Sequence, residues 1–328
     1  MRWLKRIAIA LASIAMLLIA VVEVRSKRTF DAPYPEIRAS RDPKMIARGK
    51  YIVYGAGHCV NCHVGAPLQD SVREGKTPLL EGGLKFGLPV GDFYTPNLTP
   101  DRETGIGNLT DAQLARVIRY GVMPDGRAAL PFMTFQDMSD EDLTAIISFL
   151  RAQDPVRHPV PASKPNFIGK AVMAFLLKPA GPSKPVEKTS PPIEASVERG
   201  AYLANNVAIC WECHTKRNPM DGSFQGAKFA GGGVLPLDGD ETHVLVTPNL
   251  TPSKTGRITD WSEERFVGRF QAGVGIPGTH MPWRQFASMD ENDIRAIYRY
   301  LRTLPPSDNN PGPSVQARTK ETGKKKEA

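Results

Sequence analysis

Apolar residues occur in one long run near the N-terminus and in shorter stretches with helical spacing along the rest of the chain. The long run extends from Ile7 to Val22 and is interrupted only by Ser13. The shorter stretches repeat every three or four residues, as in 143–150, which is typical of helices with one buried face. No segment alternates apolar and polar residues convincingly, so we predict an all-α fold.

Three helices are predicted in each half of the chain. In the first half, one covers about 43–56, a second begins near Thr110 and ends at Gly121, and a third begins near Ser139. Thr110 and Gln113 have the spacing of a capping box, and glycine is a common helix end. The corresponding helices of the second half are predicted to begin near these residues: Ile193, Ser262 and Asp290.

The two halves align as an internal duplication. Residues 48–51 read Arg-Gly-Lys-Tyr, and residues 199–202 read Arg-Gly-Ala-Tyr. The sequence Thr-Pro-Asn-Leu-Thr-Pro occurs at 95–100 and again at 247–252. The Asn-x-Thr triplet inside it resembles a glycosylation site, but its repetition favours a structural loop. The repeated unit is as long as a whole domain, which is too long for a solenoid repeat, so the duplication indicates two related domains.

This duplication divides the chain into segments. We predict a first domain at 42–154 (the first unit) and a second at 193–306 (the second unit). A proline-rich linker, 155–192, joins them, and a basic tail, 307–328, is expected to be disordered. Inside the linker, Phe167–Leu177 is apolar enough for a short helix. We interpret it as a linker helix packed on a domain, with a membrane-surface helix as the alternative.

Residues 1–28 are predicted to be a signal anchor or a signal peptide. Basic residues precede the apolar run, which places the N-terminus in the cytoplasm and the rest of the chain in the periplasm. No obvious Ala-x-Ala cleavage site follows the run, and Glu23 and Arg25 come directly after it. We therefore favour an uncleaved anchor in the inner membrane. The alternative is cleavage, which gives a soluble periplasmic protein.

The chemistry of the chain lies in a repeated Cys-x-x-Cys-His motif. Cys59, Cys62 and His63 form the first copy, and the second copy contains the following residues: Cys210, Cys213 and His214. This motif attaches c-type haem, since two thiols add to the porphyrin vinyl groups and the histidine ligates iron. A zinc site would place its second ligand pair much closer, and a redox disulfide would not need histidine in both copies. We predict two covalently bound haem c groups.

The distal iron ligands are expected late in each unit, on a loop before the last helix. Met281, within Met-Pro-Trp, is the candidate in the second unit, and Met133 is the candidate in the first. A gapless alignment places Leu130 opposite Met281, and leucine cannot ligate iron. Met123 is therefore kept as an alternative to Met133. Methionine sulfur raises the haem potential relative to a second imidazole.

Other methionines and histidines are interpreted as structural. Met138 and Met289 lie at the start of the last helix of each unit, where core positions are expected. Four histidines are ordinary loop or surface residues by position: His58, His158, His243 and His280.

The net charge of +8 does not indicate nucleic-acid binding. Haem propionates would offset part of it, and several of the basic residues belong to the tail. The sequence contains no arginine-rich helix or aromatic-interleaved basic patch of the kind that nucleic-acid-binding modules carry.

Taken together, these motifs resemble the class I cytochrome c family in its diheme bacterial form. The resemblance implies two tandem class I cytochrome c domains, each a few helices around a covalent haem. It also implies that the first and last helices cross near Gly49 and Phe149, and again near Gly200 and Tyr300. Similar modules occur as cytochrome subunits of membrane dehydrogenases. Thr134 departs from the family, which usually has proline after the ligand methionine.

Three functions are compatible with these features. The first is a diheme cytochrome that transfers single electrons in a periplasmic respiratory chain, from a dehydrogenase or quinol-linked donor to a terminal oxidase or soluble cytochrome. The second is the cytochrome subunit of a membrane dehydrogenase complex. The third is a diheme enzyme of the peroxidase or thiosulfate dehydrogenase type. Iron with two protein ligands has no open position for substrate, which favours electron transfer over catalysis.

Overall fold

A computed structural model describes residues 2–218 and 222–319 of the chain. Its first element is a 24-residue helix, α1 (Arg2–Arg25), that contains the apolar run. α1 is long and apolar enough to cross a membrane. Its side chains are exposed apart from the last turn, where Val22 is buried.

Helices provide most of the remaining regular structure. Those of the first unit and the linker are α2 (Pro43–Tyr54), α3 (Gln69–Arg73), α4 (Asp111–Tyr120), α5 (Asp140–Ala152) and α6 (Phe167–Phe175). Those of the second unit are α7 (Val197–Tyr202), α8 (Cys210–Cys213), α9 (Glu263–Gln271), α10 (Trp283–Ala287) and α11 (Glu291–Arg302). A π-helical turn, Leu203–Val207, continues α7.

The helix ends follow the capping residues of the sequence. Thr110 and Gln113 form a complete capping box at α4, and Gly121 ends that helix with φ 61°. Ser139 accepts a hydrogen bond from the Asp142 amide at the start of α5. α7 begins at Val197, later than predicted, because Ser196 caps it through the Arg199 amide. Capping side chains bind backbone N–H groups that the helix leaves unpaired.

The prediction of an all-α fold is confirmed only in part: helices predominate, but three small sheets accompany them among the described residues. In the first, β1 (Lys85–Leu88) pairs with β2 (Gly91–Tyr94), which pairs with β3 (Lys164–Pro165). The second joins β4 (Lys216–Arg217) to β5 (Phe224–Gln225). The third has the order β6 (Val234–Leu237), β7 (Asp240–Val246) and β8 (Val315–Ala317). Most of these strands have two to four residues, too few to show a period in the sequence.

The tail is ordered in part. β8 lies within the segment that was expected to be disordered, and it pairs antiparallel with β7 through Val244 and Gln316. Residues 320–328 of the predicted tail lie outside the described residues.

The first and last helices of each unit cross at a glycine, as the resemblance implied. A Cβ atom at Gly49 would lie 1.9 Å from the Ala145 carbonyl oxygen, and one at Gly200 would lie 1.9 Å from the Ala296 carbonyl oxygen. The aromatic residues Phe149 and Tyr300 line these crossings. Only glycine permits helices to approach this closely.

The two units bind each other through a reciprocal pair of tyrosines. The Tyr51 hydroxyl, on α2, donates to Asp293 on α11 at 2.6 Å, and Arg199 binds the same carboxylate at 2.7 Å. The Tyr202 hydroxyl, on α7, donates to Asp142 on α5 at 2.6 Å. Arg48 completes this second cluster by binding Asp142.

The repeated Arg-Gly-x-Tyr sequence thus has a structural role. Its arginine binds the aspartate of its own unit, and its tyrosine binds the aspartate of the other unit. Asp142 and Asp293 are 2% and 0% exposed, so these hydrogen bonds and ion pairs replace the water that each carboxylate loses on burial. The duplication therefore builds the interface between its two copies.

Candidate haem-binding sites

The two Cys-x-x-Cys-His motifs have the same local geometry. Cys59 begins a short 3-10 turn, and Cys210 begins α8. The amide of the motif histidine donates to the first cysteine's carbonyl at 3.0 Å in both copies. One helical turn therefore presents two thiols and an imidazole together.

The residue before each motif adopts a left-handed backbone conformation. His58 has φ 40° and Ile209 has φ 42°. This conformation is unfavourable for residues with a Cβ, especially the branched Ile209, and such strain is common at functional sites. Its occurrence in both copies indicates that the attachment turn requires it.

Each motif histidine is oriented by a proline carbonyl. The Nδ1 atom of His63 lies 3.3 Å from the Pro96 oxygen, and that of His214 lies 3.0 Å from the Pro248 oxygen. A carbonyl only accepts, so Nδ1 carries the proton and Nε2 keeps its lone pair. Burial lowers the pKa of His63 to about 4 and also lowers the pKa of His214, which keeps both rings neutral. Both histidines are therefore prepared as metal ligands through Nε2.

The repeated Thr-Pro-Asn-Leu-Thr-Pro segment holds those proline carbonyls in place. Asn97 accepts hydrogen bonds from the Thr99 amide and hydroxyl at 2.9 and 2.7 Å, and it donates to the Val156 carbonyl at 2.8 Å. Asn249 makes the equivalent bonds to Thr251. Asn97 and Asn249 are 2% and 0% exposed. The interpretation of a structural loop is confirmed, since a buried side chain is unavailable for glycosylation.

A glycine in each unit lets this segment approach the motif. The Gly82 amide donates to the His63 carbonyl at 2.9 Å, and the Gly231 amide donates to the His214 carbonyl at 2.8 Å. Both glycines have φ 72°. A Cβ at Gly82 would lie 2.4 Å from the Pro96 carbonyl. The repeated glycines are thus required by contact between two functional loops.

The four cysteines are free thiols. Burial raises the pKa of Cys59 and of Cys210 to about 12, so both are neutral at physiological pH. A zinc site instead gathers thiolates and imidazoles around one point. Among the residues that the structure describes, no group of three His, Cys, Asp or Glu side chains is arranged to hold a metal ion. The two free thiols of each motif are available for thioether attachment to haem.

The two candidate methionines lie on the loops before α5 and α10. Met281 is half-buried and packs against the hydrophobic core, to which Cys210 and Trp283 also contribute. Met133 is half-buried, and its carbonyl accepts a hydrogen bond from the Gln136 side chain at 2.9 Å. Met123 is also half-buried, in a tight turn closed by hydrogen bonds with Arg127 and Gly126.

Met138 and Met289 occupy core positions, as expected, with 1% and 6% exposure. Each of the four remaining histidines has a polar neighbour. His58 lies 3.1 Å from the Ala56 carbonyl. The other three lie beside carboxylates: His158 at 3.3 Å from Glu81, His243 at 2.7 Å from Asp240 and His280 at 3.4 Å from Asp238. These contacts agree with their interpretation as structural or surface residues.

The attachment segment of each unit contacts the methionine loop of the other. Asn206, four residues before Cys210, donates to the carbonyl of Asp137 at 3.0 Å, and Asp137 is four residues after Met133. Phe286, in the α10 helix that follows Met281, packs edge-on against His58 at 5.7 Å. The two candidate sites therefore lie at the interface between units rather than at opposite ends of the molecule.

Sequence reasoning missed several residues that support these sites. Pro96 and Pro248 were recognised as parts of a repeat, but their role as hydrogen-bond acceptors was not. Asn206 and Phe286 were also missed, because they act across the interface between the units. Only the letter-for-letter repetition around the prolines signalled that this segment serves the site.

The chain is similar to several c-type cytochromes and dehydrogenase subunits. It is 30% identical to a diheme cytochrome c-type of Cereibacter sphaeroides, over 80% of this chain and 90% of that protein. It is 32% identical to a nicotinate dehydrogenase subunit of Pseudomonas putida, over 79% of this chain, and 28% identical to the fructose dehydrogenase cytochrome subunit of Gluconobacter japonicus, over 90%. Those matches span 21% and 59% of the two relatives. No family model matches the chain.

Proposed function

Because this chain belongs to the family of c-type cytochromes, we propose that it is a diheme electron carrier that receives single electrons from a dehydrogenase. The observation that carries this proposal is the duplicated attachment motif. In both copies the histidine Nδ1 is bound by a proline carbonyl, which leaves Nε2 as a ligand atom.

The residues proposed to hold the haems are those of the two motifs and the two methionine loops. Cys59 and Cys62 would attach the first haem, and His63 and Met133 would ligate its iron. The equivalent residues of the second unit are Cys210, Cys213, His214 and Met281. Haem, when bound, supplies reversible one-electron exchange at its iron.

The motif histidine of each proposed site is shielded from solvent. His63 and His214 are 8% and 7% exposed, so water has little access to the ligand side. The proline carbonyls fix the imidazole orientation and increase its basicity. Met281, which packs against the core, would supply a thioether sulfur to the second haem. If His63 with Met133 and His214 with Met281 held the iron of each haem, no position would remain for a substrate, as a carrier requires.

The interface between the units holds the two proposed haem sites in a fixed arrangement. The clusters around Asp142 and Asp293 fix the units in one relative orientation. The contacts of Asn206 and Phe286 hold each methionine loop against the other attachment segment. A fixed separation removes the need for a domain movement before electrons pass between the units. We propose that the domains correspond to 42–154 and 193–306.

We further propose that α1 anchors the protein in the inner membrane with both units in the periplasm. The proposed partner on the donor side is a membrane dehydrogenase, because several relatives are named as cytochrome subunits of dehydrogenases. On the acceptor side we propose a terminal oxidase or a soluble cytochrome. Whether the chain acts as a free carrier or as part of the dehydrogenase is decided by its native mass after detergent extraction.

A redox titration with ligand-sensitive spectroscopy tests the electron-transfer proposal. We expect two one-electron steps and a methionine–iron charge-transfer band equivalent to two haems in the ferric protein. A high-spin signal from one haem, together with turnover of peroxide, would overturn the proposal in favour of a diheme enzyme. The first unit is where such a signal would arise, because Thr134 replaces the usual proline after Met133.

A further inference from the structure

The linker helix α6 has an apolar face exposed to solvent. Four large apolar side chains of this short segment are about half-exposed or more: Phe167 at 53%, Ile168 at 61%, Phe175 at 48% and Leu176 at 73%. Ile168 and Phe175 are seven residues apart and therefore lie on the same side of the helix. Scattered apolar residues are normal on a protein surface, but a contiguous face on one helix marks an interaction surface.

The opposite side of α6 is fixed to the first unit. Asn166 caps the helix through the Gly169 amide and also donates to the Pro89 carbonyl at 2.8 Å. A Cβ at Gly169 would lie 1.9 Å from the Val90 carbonyl oxygen. α6 is therefore held tightly against the turn between β1 and β2, with its apolar face directed away from it.

α6 is also bound to the last turn of α1. Lys170 pairs with Glu23 at 2.6 Å, and the Arg25 side chain donates to the Ala174 carbonyl at 3.0 Å. The Arg25 guanidinium lies 5.5 Å from the centre of the Phe175 ring. The last turn of α1 (residues 22–25) and the exposed apolar residues at α6 thus form one continuous surface. We call this surface, with Phe167, Ile168, Phe175 and Leu176, the foot.

The length of α1 places the foot at a membrane boundary. A helix of 24 residues is about 36 Å long at 1.5 Å per residue, which slightly exceeds a hydrocarbon core of about 30 Å. When α1 spans the bilayer, its last turn and the attached α6 therefore reach the headgroup region. Val24, in that turn, is 76% exposed, so its apolar surface continues into that of α6.

The charges around the foot also fit a lipid surface. Arg25, Lys27 and Arg28 follow the apolar run, and Lys178 follows α6. Basic side chains beside an apolar face are typical of helices that lie in the interface, because they contact lipid phosphates while the apolar residues enter the acyl region. The interpretation of this segment as an ordinary linker helix leaves its exposed face without a role.

We propose that α6 is an interfacial helix, with the face of Phe167, Ile168, Phe175 and Leu176 inserted in the periplasmic leaflet of the inner membrane. This inference rests on the proposed anchoring by α1. The foot has two attachments to the bilayer, a spanning helix and a flat one, and these fix the orientation of both units. The partner is the lipid bilayer itself and not a second protein.

Photo-crosslinking in native membranes tests this inference on the full chain. The photoreactive residue p-benzoylphenylalanine replaces one residue at a time: Ile168 in the foot, Leu17 in α1, or Val274 as an exposed apolar control in the second unit. Leu17 and Val274 are 65% and 45% exposed. After irradiation, lipid adducts are counted by intact mass, and covalent haem content verifies that each variant has folded.

We expect residue 168 to give roughly ten-fold more lipid adducts than residue 274, because a large apolar side chain favours an apolar environment over water by at least this factor in occupancy. Equal yields at 168 and 274 would overturn the inference, and a protein adduct at 168 would assign the face to a protein partner. Adducts at residue 17 report separately on the anchor. Their absence there would refute the anchoring without bearing on electron transfer.

Discussion

Replacing Gly200 by alanine tests the helix crossing that organises the second unit. The new Cβ would lie 1.9 Å from the Ala296 carbonyl oxygen and 2.8 Å from the Tyr300 Cβ. Ordinary contact begins at 3.4 Å, so the added Cβ is about 1.5 Å too close to that oxygen and the helices α7 and α11 must separate. The obstacle is backbone, which cannot rotate away as a flexible side chain can.

Two effects of opposite sign determine the magnitude. Alanine stabilises a helix by about 1 kcal/mol relative to glycine. Overpacking a rigid core costs about 1–3 kcal/mol, and occasionally more. A displacement of 1.5 Å against backbone corresponds to an overpacking cost at the upper end of this range or above it. Since the gain in helix propensity offsets part of that cost, we expect Gly200→Ala to lower the free energy of unfolding by about 2 kcal/mol.

Gly268→Ala is the matched control, because Gly268 is exposed within α9 and no heavy atom lies within 4 Å of its added Cβ. The free energy of unfolding of this variant should rise by about 1 kcal/mol, because alanine favours the helix over glycine. Guanidinium unfolding followed by circular dichroism measures both variants, and their midpoints should shift in opposite directions. Equal midpoints for the two variants would refute the close crossing. Gly49→Ala repeats the test in the first unit.

Three further changes probe the interface and the sites. Tyr202→Phe removes a hydrogen bond to buried Asp142 and should lower the free energy of unfolding by about 1.5–3 kcal/mol, as measured by guanidinium unfolding. A decrease below about 0.5 kcal/mol would contradict a role of Tyr202 in joining the units. Replacing Cys210 and Cys213 together by alanine should halve the covalent haem measured in denatured protein, and full haem content would disprove attachment in the second unit. Met281→Ala should lower one of two potentials in a redox titration while covalent attachment persists, and an unchanged titration would show that another residue is the ligand.

The helices could be predicted because their signals are local. Thr110 caps α4 and Ser139 caps α5 through bonds within one turn, so a few adjacent residues specify each helix. The glycine crossings followed from the family resemblance. The duplicated motifs likewise specify the attachment turns within five residues each.

The strands and the contacts between units could not be predicted, because they depend on distant partners. β8 forms only by pairing with β7, some 70 residues earlier in the chain. Tyr51 binds Asp293 across 242 positions, and nothing near Tyr51 in the sequence indicates that partner. The same holds for α6, whose apolar residues resembled a buried linker helix until its packing against α1 showed which face remains exposed.

The central claim is that the chain carries two haems, each bound through its own Cys-x-x-Cys-His motif. The most direct test is the pyridine haemochrome assay on protein that was produced in a host with haem-attachment machinery, then denatured and extracted with acidified acetone. We predict two haems per chain that resist extraction. Haem that is fully extracted, or only one haem that remains per chain, would contradict the claim.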